Sequence, residues 1–119
     1  MAEKITLYGI ANCDTIRKAR GWLREHDVDF VFHDYRKQGL TPELLSSMTG
    51  QLGWETMLNR RGTTWRSLPE DTRENIDETS AGNLMLDNPA IIKRPILDVA
   101  GNLHLGFSNQ QYEEIFATP

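Results

Sequence analysis

The chain has 119 residues, a formal net charge of −4, 39% hydrophobic and 25% charged residues. That length suits one domain with a real core, and the composition fits neither a disordered chain nor a membrane protein. The acidic balance argues against non-specific nucleic-acid binding, which needs clustered Lys and Arg, and no apolar run reaches the roughly 18 residues of a bilayer span.

Met1-Ala-Glu-Lys leads straight into a strand and leaves no room for a secretory signal, so a cytoplasmic protein is expected. In that strand Ile5 and Leu7 alternate with Thr6 and Tyr8, and Gly9 and Asn12 supply turn residues after it. Ile16, Ala19, Trp22 and Leu23 then recur at helical spacing, predicting a helix over residues 13–26. Cys13 falls where the loop becomes that helix. Unpaired N–H groups and the positive end of the helix dipole favour a thiolate there. It is the only cysteine, so disulfide chemistry requires a second molecule.

Phe30 and Phe32 predict a second strand over residues 29–34, closing a β-α-β unit with parallel strands. Residues 35–39 read as a polar loop. Thr41 and Pro42 start a helix as N-cap and first helical residue, with Leu44, Leu45, Met48 and Leu52 on its apolar side. Short helices are predicted over residues 53–61 (Trp54, Met57 and Leu58 inward), 69–76 and 80–88 (Leu84, Met85 and Leu86 packing). Residues 63–69 form a connector with a buried Trp65. Residues 91–99 read as a strand interrupted by Pro95. Ala100-Gly101-Asn102 is a hairpin turn and residues 103–107 pair back antiparallel. Ser108 caps a last helix through Tyr112, Ile115 and Phe116.

The order β-α-β, helices, β-β-α is that of a thioredoxin-like, glutaredoxin-type α/β fold. It predicts a mixed four-stranded sheet in one domain, residues 1–119, with inserted helices at roughly 41–88. Such a fold sets a cysteine at the start of its first helix opposite an X-Pro bond that opens the third strand; Cys13 and Arg94-Pro95 hold those places. A proline in a central strand deletes a ladder hydrogen bond and needs a reason. A cis Arg94–Pro95 peptide, turning backbone polar groups toward an extended substrate beside Cys13, supplies one.

Leu7-Tyr-Gly-Ile-Ala-Asn-Cys-Asp-Thr-Ile-Arg-Lys-Ala-Arg20, His33-Asp-Tyr-Arg36, Leu58-Asn-Arg-Arg-Gly-Thr-Thr-Trp-Arg66 and Ile91-Ile-Lys-Arg-Pro-Ile96 together resemble the glutaredoxin-related arsenate reductase (ArsC) family, in its YffB/Spx-like branch. The likeness covers almost the whole chain. It implies a nucleophile at Cys13 and an anion pocket with arginines at Arg61 and Arg94, Arg60 being the competing register for the first. Asn12, Thr15 and Pro95 complete the expected binding set. Three departures stand out. Gly9 replaces the family's histidine, Ile16 its serine, and Leu105-Gly-Phe107-Ser holds no third arginine. Efficient arsenate reduction is therefore not expected. Ile16 also stands where Spx-type regulators carry the second cysteine of a Cys-x-x-Cys switch.

The expected activity is thiol–disulfide exchange by Cys13, with glutathione as co-substrate because no second cysteine resolves a mixed disulfide. Glutathione's carboxylates match Arg61 and Arg94. The Thr15 hydroxyl is expected to bond the sulfur. Arg17, one turn on, would lower its pKa further, and Asp14 either caps the helix or opposes the thiolate. The plain alternatives are an inert core cysteine and surface arginines satisfied by the 17 acids. An Spx-like adapter is the alternative function. His33 and His104 show no ligand spacing and no metal is expected. Trp22, Trp54 and Trp65 read as packing residues. A monomer binding neither nucleic acid nor membrane is expected.

Overall fold

Four strands form one mixed sheet in a computed structural model that describes residues 4–117. In chain order the elements are β1 (Ile5–Gly9), α1 (Asp14–Glu25), β2 (Val31–Asp34), α2 (Tyr35–Gln38), α3 (Pro42–Leu52), α4 (Trp54–Met57) and α5 (Thr63–Arg66). There follow α6 (Glu70–Glu74), α7 (Glu78–Asp87), a 3₁₀ turn at Pro89–Ile91, β3 (Ile96–Val99), β4 (Asn102–Leu105) and α8 (Asn109–Phe116). The chain divides into two compact units: the sheet with α1 and α8, contributed by both ends up to Asp34 and from Arg94, and the helical segment Tyr35–Lys93. The helical unit thus starts before residue 41 and ends after residue 88.

In the sheet unit, β1 pairs parallel with β2 (Leu7 opposite Phe32) and antiparallel with β3 (Leu7 opposite Leu97). β3 pairs antiparallel with β4. Alternation sends Ile5, Leu7 and Leu97 to one face, where they pack with Ala19, Trp22 and Leu23 of α1 and Tyr112 of α8. The reversal between β3 and β4 uses Ala100 and Gly101 at φ 52° and 93°, the left-handed pair a tight hairpin requires. Asp98 Oδ1 accepts from Gly101 N–H at 2.7 Å. Ser108 caps α8 as expected, its Oγ accepting from Gln111 N–H.

Two details of this unit carry energetic consequences. Gly21 lies inside α1, where glycine costs about 0.5–1 kcal/mol against alanine, yet a Cβ there would meet no atom within 4 Å. The Tyr112 ring packs against Trp22, Phe107 and Phe116, and its buried hydroxyl has no hydrogen-bond partner among the described residues. Burial pushes its pKa far above the ordinary phenol value. An unpaired buried hydroxyl is a liability, so Tyr112→Phe is expected to stabilise the fold by about 0–1 kcal/mol, read as a higher urea midpoint. A loss above that range would show that the hydroxyl has a partner.

In the helical unit Thr41 caps α3 as expected, its Oγ1 accepting from Leu44 N–H. Leu45 and Met48 face inward while Leu44 and Leu52 are half-buried. Residues 35–39 are not a loop: α2 forms because Tyr35, 3% exposed, is a core anchor with its hydroxyl 3.9 Å from Met48 Sδ. The helix expected over 53–61 stops at Met57, because Leu58 leaves to bridge Ile92. Asn59 N–H donates to Ile91 O (2.8 Å) and Lys93 N–H to Met57 O (2.7 Å). This two-rung ladder absorbs part of the strand expected over 91–99, and β3 begins only at Ile96.

The connector at 63–69 contains α5, which buries Trp65. α6 is shorter than the helix expected over 69–76. α7 starts at Glu78 rather than Ser80, because Asp77 is the N-cap: Asp77 Oδ1 accepts from Ser80 N–H while Ser80 Oγ accepts from Asp77 N–H. Its buried residues are Ala81 and Met85; Leu84 and Leu86 are half-buried. Strands β2 and β4 are likewise shorter than the runs 29–34 and 103–107, as fewer residues find ladder partners. Among the described residues no helix is long and apolar enough to cross a membrane.

Candidate functional site

Cys13 is the N-cap of α1, with extended backbone (φ −129°, ψ 130°) and Asp14 as the first helical residue. It is half-buried and free. Its side chain closes no capping hydrogen bond, and the N–H groups at this helix end favour the anion. Burial alone would raise the thiol pKa and is the largest influence. It is outweighed by the Ile16 N–H, the Arg94 side chain, the Thr15 N–H and the Arg94 charge, which together hold the pKa below the ordinary thiol value.

Arg94 therefore stands where the sequence placed it, beside the sulfur. The Arg94–Pro95 peptide is cis, as expected. The Pro95 carbonyl accepts from Gly106 N–H at 2.8 Å, so that polar group serves the sheet rather than a substrate. Thr15 acts through its backbone N–H and not through the expected hydroxyl bond, and the Ile16 N–H acts with it. Sequence reasoning missed Ile16 because its side chain is apolar; the signal was its position three residues past the cap. Asn12 is exposed in the bend before Cys13. Asp14 is ion-paired with Arg17, both strongly exposed, so Arg17 is engaged by the carboxylate rather than aimed at the sulfur.

Replacing Arg94 by Ala removes both a hydrogen bond and a charge from the thiolate. We expect the pH midpoint of Cys13 alkylation to rise, and alkylation at neutral pH to slow by about tenfold, the scale of one charge-assisted hydrogen bond. An unchanged midpoint would remove Arg94 from the site; Arg94→Lys, which keeps the charge, is expected to recover part of the shift.

Arg61 and Arg60 belong to the helical unit. With Glu55, Leu58, Asn59 and Lys93 they line a cleft of about 540 Å³. Arg60 lies over the Trp65 ring at 5.5 Å, whereas Arg61 is exposed and its N–H donates to Asn59 Oδ1 at 3.1 Å. The turn bearing both arginines follows directly from the Leu58–Ile92 bridge. Lys93, overlooked beside the more conspicuous Arg94, adds a third cation to this cleft. Among the described residues no group of three His, Cys, Asp or Glu could hold a metal.

Gly9 and Ile16 prove to be one feature. A Cβ on Gly9 would overlap Ile16 Cδ1 and sit 3.0 Å from its Cγ1. Ile16 is fully buried and fills the space where a side chain at position 9 would begin.

A mixed four-stranded sheet, a cysteine at the N-terminus of the first helix and a cis-proline ahead of the third strand define a thioredoxin-like protein. The family model described as "ArsC family" matches residues 8–115. The chain belongs to the ArsC family. It is similar to the solved YffB protein, at 45% identity over 93% of this chain and 97% of that one, with a TM-score of 0.88. An arsenate reductase (ArsC) related protein from Brucella melitensis matches at 50% identity over 97% and 96% of the two chains, TM-score 0.80. The global transcriptional regulator Spx of Streptococcus mutans is 31% identical over 90% of this chain and 79% of its own length.

Proposed function

We propose that the chain is a glutathione-dependent thiol–disulfide reductase with Cys13 as its nucleophile. The observation that carries this reading is the set of donors on one sulfur: two helix N–H groups and the Arg94 guanidinium, which overcome burial and favour the thiolate. In the first step Cys13 S⁻ attacks one sulfur of a substrate disulfide. The Cys13–sulfur bond forms, the substrate S–S bond breaks, and the departing thiolate takes a proton. Glutathione thiolate then attacks the mixed disulfide, releasing Cys13 S⁻. When the captured sulfur is itself glutathione's, the product is oxidised glutathione, and the net reaction turns one glutathione mixed disulfide and one glutathione thiol into a free substrate thiol and oxidised glutathione. Cys13 is the only cysteine, so the second step needs this external thiol. Arg94 and Arg61 are the cations proposed for glutathione's carboxylates, and a reducing cytoplasm is the compartment proposed.

Arsenate reduction is proposed to be weak or absent, since Gly9 and Ile16 put hydrocarbon where the family's enzymes have polar groups and no third arginine follows β4. A second reading, an adapter resembling the Spx regulators, is favoured by the likeness to the Streptococcus mutans protein. Mass spectrometry after exposure to oxidised glutathione tests the first reading. One adduct on Cys13, released by reduced glutathione, is expected. Its absence at neutral pH would leave the adapter.

A further inference from the structure

Outside the thiol site, α1 carries a second chemical feature. Arg17, Arg20 and Arg24 line a shallow depression of about 280 Å³ with Gly21 between them. Spacings of three and four residues put these positions on one helical face. Of these three arginines only Arg17 meets a carboxylate among the described residues, that of Asp14. The Arg20 guanidinium carbon sits 4.6 Å from the Phe32 ring centroid, and its buried Nε has no hydrogen-bond partner. Phe32 thus orients this cation without neutralising it. At Gly21 a Cβ would meet nothing of the chain. Stacked like charges and an interior glycine both weaken a helix; the Asp14 pair and the Phe32 ring offset part of the first, and among the described residues nothing within 4 Å of a Cβ at position 21 offsets the second.

We propose that this face docks an acidic segment of a partner protein and carries that partner's disulfide to Cys13 at the N-terminal end of the same helix. The helix from Cys13 to Arg24 runs about 16 Å, which about five extended residues span. Carboxylates along such a segment pair with the guanidinium groups, and its backbone lies against Gly21, where no side chain intervenes. Carboxylates match guanidinium groups in bidentate fashion. Nucleic acid fits less well: its affinity is built from many phosphate contacts, and this face belongs to a chain of net charge −4. The proposal rests on Cys13 reactivity only for the delivery step.

The test uses the full chain as the Cys13→Ser variant and a fluorescent cysteine-free peptide of about ten residues with alternating Glu, compared with its Gln counterpart. Fluorescence anisotropy is expected to show the Glu peptide bound at least about tenfold more tightly, with the preference shrinking as salt rises from about 50 to 300 mM. The double substitution Arg20→Gln/Arg24→Gln is expected to remove that preference. Gly21→Leu fills the depression while favouring helix, so it should weaken the Glu peptide about tenfold yet raise thermal stability. A general structural role for this face would not produce that split. Equal binding of the two peptides, or unchanged binding in either variant, overturns the proposal. Tighter binding of short duplex DNA than of the Glu peptide also overturns it, by making nucleic acid the occupant. With the thiol absent from the assay, the outcome is independent of whether glutathione reacts at Cys13.

Discussion

The Cys13→Ser protein is expected to take up no glutathione at any pH and to lose all thiol exchange while remaining folded. The hydroxyl cannot form the S–S bond on which both steps depend, so the loss is complete. Serine is a favoured N-cap, whereas the Cys13 side chain closes no capping bond, so the variant should gain about 0.5–1 kcal/mol at mildly acid pH. The sign of the pH dependence follows from the depressed thiol pKa. The unfolded thiol binds its proton more tightly, so wild-type stability rises with pH between the folded value and the ordinary value of about 8.5. That contribution is fully present above the ordinary value and lost as pH falls through the folded one. The advantage of serine should therefore shrink from acid to alkaline pH, as read by urea unfolding. A constant difference would mean that the folded environment does not favour the anion.

Gly9→Ala is expected to cost about 1–3 kcal/mol, the scale of overpacking in a close-packed core. Its methyl would enter the space of Ile16 Cδ1, and Ile16, with no exposed surface, has little room to withdraw. Ile16→Ala alone should cost about 2–5 kcal/mol through the cavity it leaves. The double variant should cost less than the sum, because the cavity accepts the new methyl. Strict additivity in urea unfolding would show that the two positions are not coupled. The same geometry requires that any larger side chain at position 9 be matched by a shift of Ile16 or a smaller residue at position 16.

The sequence disclosed the sheet unit more fully than the helical one. Alternation in Ile5–Tyr8, the helical recurrence of Ile16, Ala19, Trp22 and Leu23, and the Ser108 cap are local signals. Local signals survive folding when burial agrees with them, as it does here. Tyr35 and Leu58 were misread because the deciding contacts are distant. Met48 and its neighbours anchor a segment that looks like polar loop, and Ile92 draws Leu58 out of a helix its spacing supports. At the site, Cys13 and Arg94 were legible as residue types in known places. The donors that matter besides Arg94 are backbone N–H groups, and no residue letter announces those. Asp14 could not be assigned beforehand because its role turned on which cation its side chain would meet, and that cation is Arg17.

The ladder joining Leu58 to Ile92 has a bearing on how this architecture tolerates change. Its rungs, Asn59 to Ile91 and Lys93 to Met57, fasten the base of a long excursion that carries α5, α6 and α7. Lengthening a fastened excursion costs little, since closure entropy grows only logarithmically with length. Insertions, deletions and rearranged turns between residues 62 and 88 can therefore accumulate while Arg60, Arg61 and Lys93 keep their spacing at its neck.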